Sequence, residues 1–229
     1  MWEMLESVFK ELDVWIDCES RSGAENMAID ELLYERQSPR PVLRFYDWRD
    51  PAVSFGYFEK LETARASFSE NEIDYIRRLT GGGIVDHREG STYTLFIPKS
   101  HRLSSARGDT SYCAIHKVLV ESLADCGVLA QLSDGASSTG ENACFVNPVA
   151  QDVVSAEGVK LAGAGQKRGR YGLLHQGCVV GASGDWRLQF ARKLAQEQRS
   201  VDLSSAIGGD AIEHLCRTRY ASEQWLNKR

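Results

Sequence analysis

Arg77, Arg78 and His87 flank three consecutive glycines in the segment RRLTGGGIVDH. Glycine accepts positive φ and carries no Cβ, so a ligand can lie against its peptide plane. Successive main-chain N–H groups can then point at a carbonyl or phosphate oxygen. The pattern is neither G-x-G-x-x-G nor a P-loop, because no Gly-Lys-Ser/Thr follows. Side chains alternate along a strand, so only one of the two arginines can face a pocket beside the glycines. A triple glycine also suits a bulged turn between strands. An isolated histidine also suits a hydrogen-bonded structural role.

A second group of reactive side chains lies between Ala143 and Gly177. Cys144 follows a polar loop over residues 134–141, and Pro148 keeps Asn147 extended. A cysteine beside such a loop can be accessible, and its thiolate would be a nucleophile. Lys160 stands between Val159 and Leu161 in a strand-like run of small residues. Two placements fit it equally, snorkelling at a sheet edge or reaching into a cleft. His175 sits in the apolar hairpin stretch LLHQG. Lys167, Arg168 and Arg170 crowd the turn QKRGR, which is either a solvated hairpin tip or a docking patch for an acidic partner.

Composition bounds what this chemistry can serve. The chain has 229 residues, a net charge of −5 and a pI near 5.6. An acidic balance argues against general nucleic-acid binding. No apolar run reaches the length of a membrane span, and the acidic N-terminus lacks a secretory signal, so the expected compartment is the cytoplasm. The six cysteines form no C-x-x-C pair and keep no zinc spacing with histidine, so reduced thiols and no metal site are expected.

The elements that must position these groups follow from periodicity. Ser22 caps a helix over 23–35, and residues 110–126 form the clearest amphipathic helix, ended by Gly127. Short strands are expected at 14–17, 41–48, 52–58, 75–79 and 91–98. Further strands follow at 128–132, 143–146, 151–155, 159–164 and 172–180, with 167–170 as a turn. A short helix begins near 69–73, and helices at 185–196 and 210–227 close the chain. Helices and strands are segregated. That favours an α+β fold with mixed or largely antiparallel sheets and helices packed on one side.

Together, RRLTGGGIVDH and ACFVNP…GVKLAGAGQKR…LLHQG resemble the lipoate–protein ligase/octanoyltransferase superfamily, which also contains the biotin–protein ligases. NMAIDELL resembles its first helix, and the likeness runs to about Val180. The resemblance implies a single biotin/lipoyl-ligase-like catalytic domain over 1–229, without an accessory C-terminal domain. It implies that Arg78, Gly81, Gly82, Gly83 and His87 line an acyl pocket. It extends that role to Gly163, Gln166 and His175, and puts Lys160 beside the acyl carbonyl. Cys144-Phe145 with Pro148 resembles the Cys-Phe-x-x-Pro of the cysteine-dependent octanoyltransferases. His87 to Ser91 lacks the asparagine usual in the ATP-dependent ligases. The implied activity is octanoyl or lipoyl transfer through a Cys144 thioester with no nucleotide. The donor would be an acyl carrier protein or a lipoylated protein. The acceptor would be a lipoyl domain or a glycine-cleavage H-type protein, with Lys167, Arg168 and Arg170 docking the carriers. An ATP- and Mg2+-dependent lipoate–protein ligase, or a non-catalytic carrier-binding module, are the alternatives.

Overall fold

The computed structural model describes residues 7–68, 72–135, 148–182 and 184–228. The strands are β1 (Phe9–Ile16), β2 (Val42–Tyr46), β3 (Ala52–Phe55), β4 (Asp74–Arg77), β5 (Ile84–Asp86) and β6 (Ser91–Pro98). They continue as β7 (Ala130–Leu132), β8 (Val153–Ser155), β9 (Lys160–Gly169), β10 (Gly172–Val179) and β11 (Ala195–Ser200). The helices are α1 (Gly23–Glu35), α2 (Leu61–Ser67), α3 (Arg102–Ser105), α4 (Gly108–Asp125) and α5 (Trp186–Leu194). Near the end come α6 (Ser204–Ile207), α7 (Gly209–Leu215), a π-helical turn over Cys216–Tyr220, and α8 (Glu223–Leu226).

The large sheet runs β11-β1-β2-β6-β10-β9-β8-β7, and a small one runs β4-β3-β5. β1 is parallel to both of its neighbours, and the rest of the large sheet is antiparallel. The α+β class with mixed sheets is as expected. One detail is corrected: helices cover both faces of the large sheet, not one. Alternation along β6 shows why, since Tyr93, Leu95 and Ile97 enter one core and Phe96 the other. The first core is closed by α4 and α5, through Leu119, Leu123, Phe190 and Leu194. The second is closed by α1 and the C-terminal helices, through Met27, Leu33, Tyr220 and Trp225. A sheet buried on both faces needs apolar residues at successive positions, as in β2 and β10, where every residue is buried.

Helix α1 begins at a capping box. Glu25 N donates to Ser22 Oγ, while Ser22 N donates to the Glu25 carboxylate at 2.8 Å. Such caps are worth about 1 kcal/mol. The expected helix over 185–196 stops at Leu194, and the chain turns into β11, an exposed strand beside β1. The expected helix over 210–227 is broken into three short pieces. The short helix expected to begin near 69–73 falls largely on residues 69–71, outside the described residues, and α2, which was not expected, precedes it. So is the strand expected at 143–146.

Candidate active site

The glycine segment contributes a strand of its own, β5, which pairs with β3. The loop between β4 and β5 is pinned on both sides. Gly56 N donates to Gly83 O at 3.1 Å, Tyr57 N to Thr80 O at 2.8 Å, and Gly81 N to Gln166 O at 3.3 Å. Gly82 has φ 90°, in the region that favours glycine. The N–H of Gly81 is therefore committed to β9 and is not aimed at a ligand.

A cavity of about 110 Å³ opens between this loop and the β9–β10 hairpin. Arg78, Gly82, Gly83 and His87 line it from the small sheet; Lys160, Gly163, Gly165, Gln176 and Cys178 line it from β9 and β10. Met27, Tyr46, Trp48 and Val85 supply apolar wall. Gly81, Gln166 and His175 do not line it.

The two arginines divide as strand alternation requires. Arg77 is turned away and clamps the C-terminus, donating to the carbonyls of Trp225, Leu226, Tyr57 and Glu59. Arg78 faces the cavity and donates to Ser54 Oγ at 2.8 Å and to Gly83 O at 2.7 Å. Ser54 Oγ lies 2.6 Å from His87 Nε2, and the His87 ring stacks on Trp48 at 4.0 Å between centroids. Burial, and then the charge of Arg78, push the His87 imidazole well below its ordinary pKa. It is a neutral wall residue and a weak base.

Lys160 reaches the cleft, not the sheet edge. Its Nζ lies 2.8 Å from Asp152 Oδ2, and both side chains are almost fully buried. Asp152 also accepts from Tyr112 Oη at 2.6 Å and from Val149 N at 2.9 Å. Tyr112 Oη in turn accepts from Ala164 N at 2.8 Å. The lysine folds back across its own strand, over Gly163. A methyl group at position 163 would lie 2.6 Å from Lys160 Cε and 2.8 Å from Nζ. Such close approach is possible only over glycine.

Gln176 ties the loop to α1: Thr80 Oγ1 donates to its Oε1 at 2.7 Å, and its Nε2 donates to Asp30 Oδ2 at 2.7 Å. Cys178 pairs across the hairpin with Gly163. Burial pushes its thiol up to about 12, despite a hydrogen bond to Thr92. Asp152, Tyr112, Ser54, Gln176 and Cys178 are absent from the sequence-based site, since none carries a local signal beyond its residue type.

His175 and Gln166 sit one layer behind the cavity, on the sheet face that α4 covers. Gln166 Nε2 donates to His175 Nδ1 at 2.9 Å, leaving the ring proton on Nε2, 3.1 Å from Tyr93 Oη. Burial, with His116 and Arg168 nearby, holds the His175 pKa well below the ordinary value. Lys167 and Arg168 are strand residues, not turn residues; the turn is Arg170-Tyr171. Lys167 pairs with Leu174 and Arg168 with Leu173, so their side chains leave opposite faces. Arg168 donates to Ser111 of α4. Cys144 lies outside the described residues. Among the described residues, no cluster of three or more His, Cys, Asp or Glu could hold a metal ion. No helix there is long and apolar enough to cross a membrane.

A lysine held by a buried carboxylate and a glycine-built loop thus meet at one largely apolar cavity set between the two sheets. The chain belongs to the family of the lipoyl protein ligase A/B catalytic domain, whose model matches residues 22–201. Among curated relatives it is similar to octanoyltransferase LipM of Carboxydothermus hydrogenoformans, 35% identical over 200 residues. That match covers 82% of this chain and 74% of the relative. It is also similar to octanoyltransferase LipM of Clostridioides difficile, 36% identical over 170 residues, which are 70% of this chain and 62% of the relative. The match to the Oceanobacillus iheyensis LipM spans 60% of that relative, so parts of these proteins have no counterpart in the aligned region. A putative lipoate protein ligase of Thermoplasma acidophilum superposes with a TM-score of 0.75 at 19% identity, covering 96% of this chain and 100% of that one. A lipoate-protein ligase A bound with ATP superposes equally well, also at 19% identity, over 95% of this chain and 98% of that one.

Proposed function

We propose that this protein transfers an octanoyl group from a carrier thioester to a lysine of a lipoyl domain, in protein lipoylation and without ATP. The observation that carries this reading is the Lys160–Asp152 pair at an apolar cavity, in a chain whose relatives are named octanoyltransferases. The aliphatic tail enters the cavity, where each buried methylene contributes about 0.8 kcal/mol.

Cys144 serves as the nucleophile. Its thiolate attacks the thioester carbonyl, the donor C–S bond breaks and the donor thiol leaves. The acceptor lysine then attacks the new thioester, an amide forms and the cysteine sulfur is released. The ammonium of Lys160 favours the thiolate and polarises the carbonyl. Cys178 is a poor nucleophile at neutral pH, since only the thiolate reacts and burial pushes its pKa up to about 12. His87 and His175 are weak bases. With both histidines weak bases and Lys160 held as an ammonium against Asp152, the proton of the incoming amine leaves with the departing Cys144 sulfur.

The test is intact-mass measurement after incubation with octanoyl carrier protein in the absence of nucleotide. The expected result is a single octanoyl adduct that disappears on adding an acceptor lipoyl domain and is lost in Cys144→Ala. An adduct retained in Cys144→Ala and lost in Cys178→Ala would move the reaction to the other sulfur. Acceptor modification that requires lipoate and ATP would replace transfer with ligation.

A further inference from the structure

A groove of about 370 Å³ runs between the tip of the β9–β10 hairpin, α1 and the C-terminal helices. Lys167, Arg170, Arg219 and Lys228 line it, against Glu31 and Glu35. Glu31 is already engaged, because Arg219 and Tyr220 both donate to its carboxylate. The groove is thus a local excess of positive charge on a chain whose net charge is −5. Two of these cations rest on aromatic faces: the Arg170 guanidinium lies 4.3 Å from the Tyr171 centroid, and Lys228 Nζ lies 4.5 Å from that of Tyr57. Stacking of this kind leaves less side-chain freedom to lose on binding.

The groove and the cavity share strand β9. Gly163 and Gly165 line the cavity, and Lys167 lines the groove two residues on, about 7 Å along the strand. A partner seated in the groove therefore lies within about two residues' length of the cavity lining along β9.

We propose that this groove docks an acidic surface of the protein that accepts the acyl group. The proposal rests on the transfer reading above. The accepting group there is itself an amine, which the four cations and Lys160 would repel unless the surface around it is negative. The chain as a whole is negative, so a locally positive groove also favours one orientation of such a partner. Arg168 also borders the groove, but its guanidinium turns to Ser111 of α4 and is not counted among the four cations.

The test separates docking from chemistry. A double variant, Lys167→Glu with Arg170→Glu, and a single variant, Lys228→Glu, are compared with the parent in two assays. The first is self-acylation by a small octanoyl thioester that carries no protein. The second is transfer from the pre-acylated enzyme to a lipoyl domain. Self-acylation is expected to stay within about twofold, while kcat/KM for the lipoyl domain falls about tenfold or more at low salt. The parent's rate with the lipoyl domain should fall between about 50 and 300 mM salt, and the variants' should not. Unchanged transfer to the lipoyl domain overturns the proposal. So does a parallel loss in both assays. Failure of the parent to acylate itself at all would instead remove the transfer reading.

Discussion

Position 163 is a glycine because Lys160 occupies the space where a side chain would be. In Gly163→Ala the new methyl would meet Cε and Nζ of that lysine, the far end of a flexible chain, at 2.6 and 2.8 Å. The ammonium is expected to swing away from Asp152 while the strand keeps its course. Self-acylation should slow by about tenfold or more, the scale of a misplaced catalytic charge. Urea unfolding should shift by only about 1 kcal/mol. A variant that acylates at the parent's rate would show that the 2.8 Å pairing of Lys160 with Asp152 does not set the rate. Lys160 was legible in the sequence because an ammonium between two apolar strand residues demands an explanation. Asp152 was not, since an aspartate after a proline-containing loop looks like any turn residue. What makes it a partner is the β8–β9 pairing and the approach of Tyr112 from α4, and both are long-range. Arg77 and Arg78 were legible only as an either/or, which the clamp on the C-terminus resolves.

Strand β9 carries the lysine, lines the cavity and packs against the glycine loop, and its glycines are not equivalent. At Gly165 a methyl group would lie 2.3 Å from Gly81 O and 2.7 Å from Thr80 Oγ1. Backbone cannot yield as a lysine tip does. Gly165→Ala should therefore part β9 from the loop, break the Gly81–Gln166 hydrogen bond and cost about 1–3 kcal/mol. Chemical denaturation measures that cost. A loss below about half a kilocalorie per mole would mean that the loop is not seated on β9. Elements with a strong period, such as α1 and α4, could be read from the sequence to within a few residues. β11 could not. Its sequence AQEQRS has no apolar alternation, because an exposed edge strand needs only backbone pairing with β1. The helix expected over 210–227 fails for a related reason: its pieces turn to cover α1 and β4, and Ser222 starts a new helix by accepting from Trp225 N.

At the scale of the molecule, the two buried faces hold three histidines in the neutral form. His87 stands in the cavity wall, His175 stands under α4, and His116 is on the buried face of α4 itself. Burial comes first among the causes for all three; the His116 pKa falls to about 4, and the other two fall well below their ordinary value. In the unfolded chain each imidazole takes up a proton near pH 6.5. The folded chain refuses those protons until lower pH. In that window the unfolded state binds more protons, so stability rises with pH and is lost on acidification. Each histidine contributes a slope of about 1.4 kcal/mol per pH unit, and three acting together give about 4. A domain holds only about 5–15 kcal/mol in total. The urea midpoint should therefore be level from about pH 8 to 7 and fall steeply from about pH 6 to 5, before most carboxylates titrate. His116→Gln removes one titrating group, which sits behind Tyr112 of the cavity wall, and should reduce the acid slope by about a third. A midpoint that stays level down to about pH 5, or a slope unchanged in His116→Gln, would mean that these imidazoles are protonated within the folded protein.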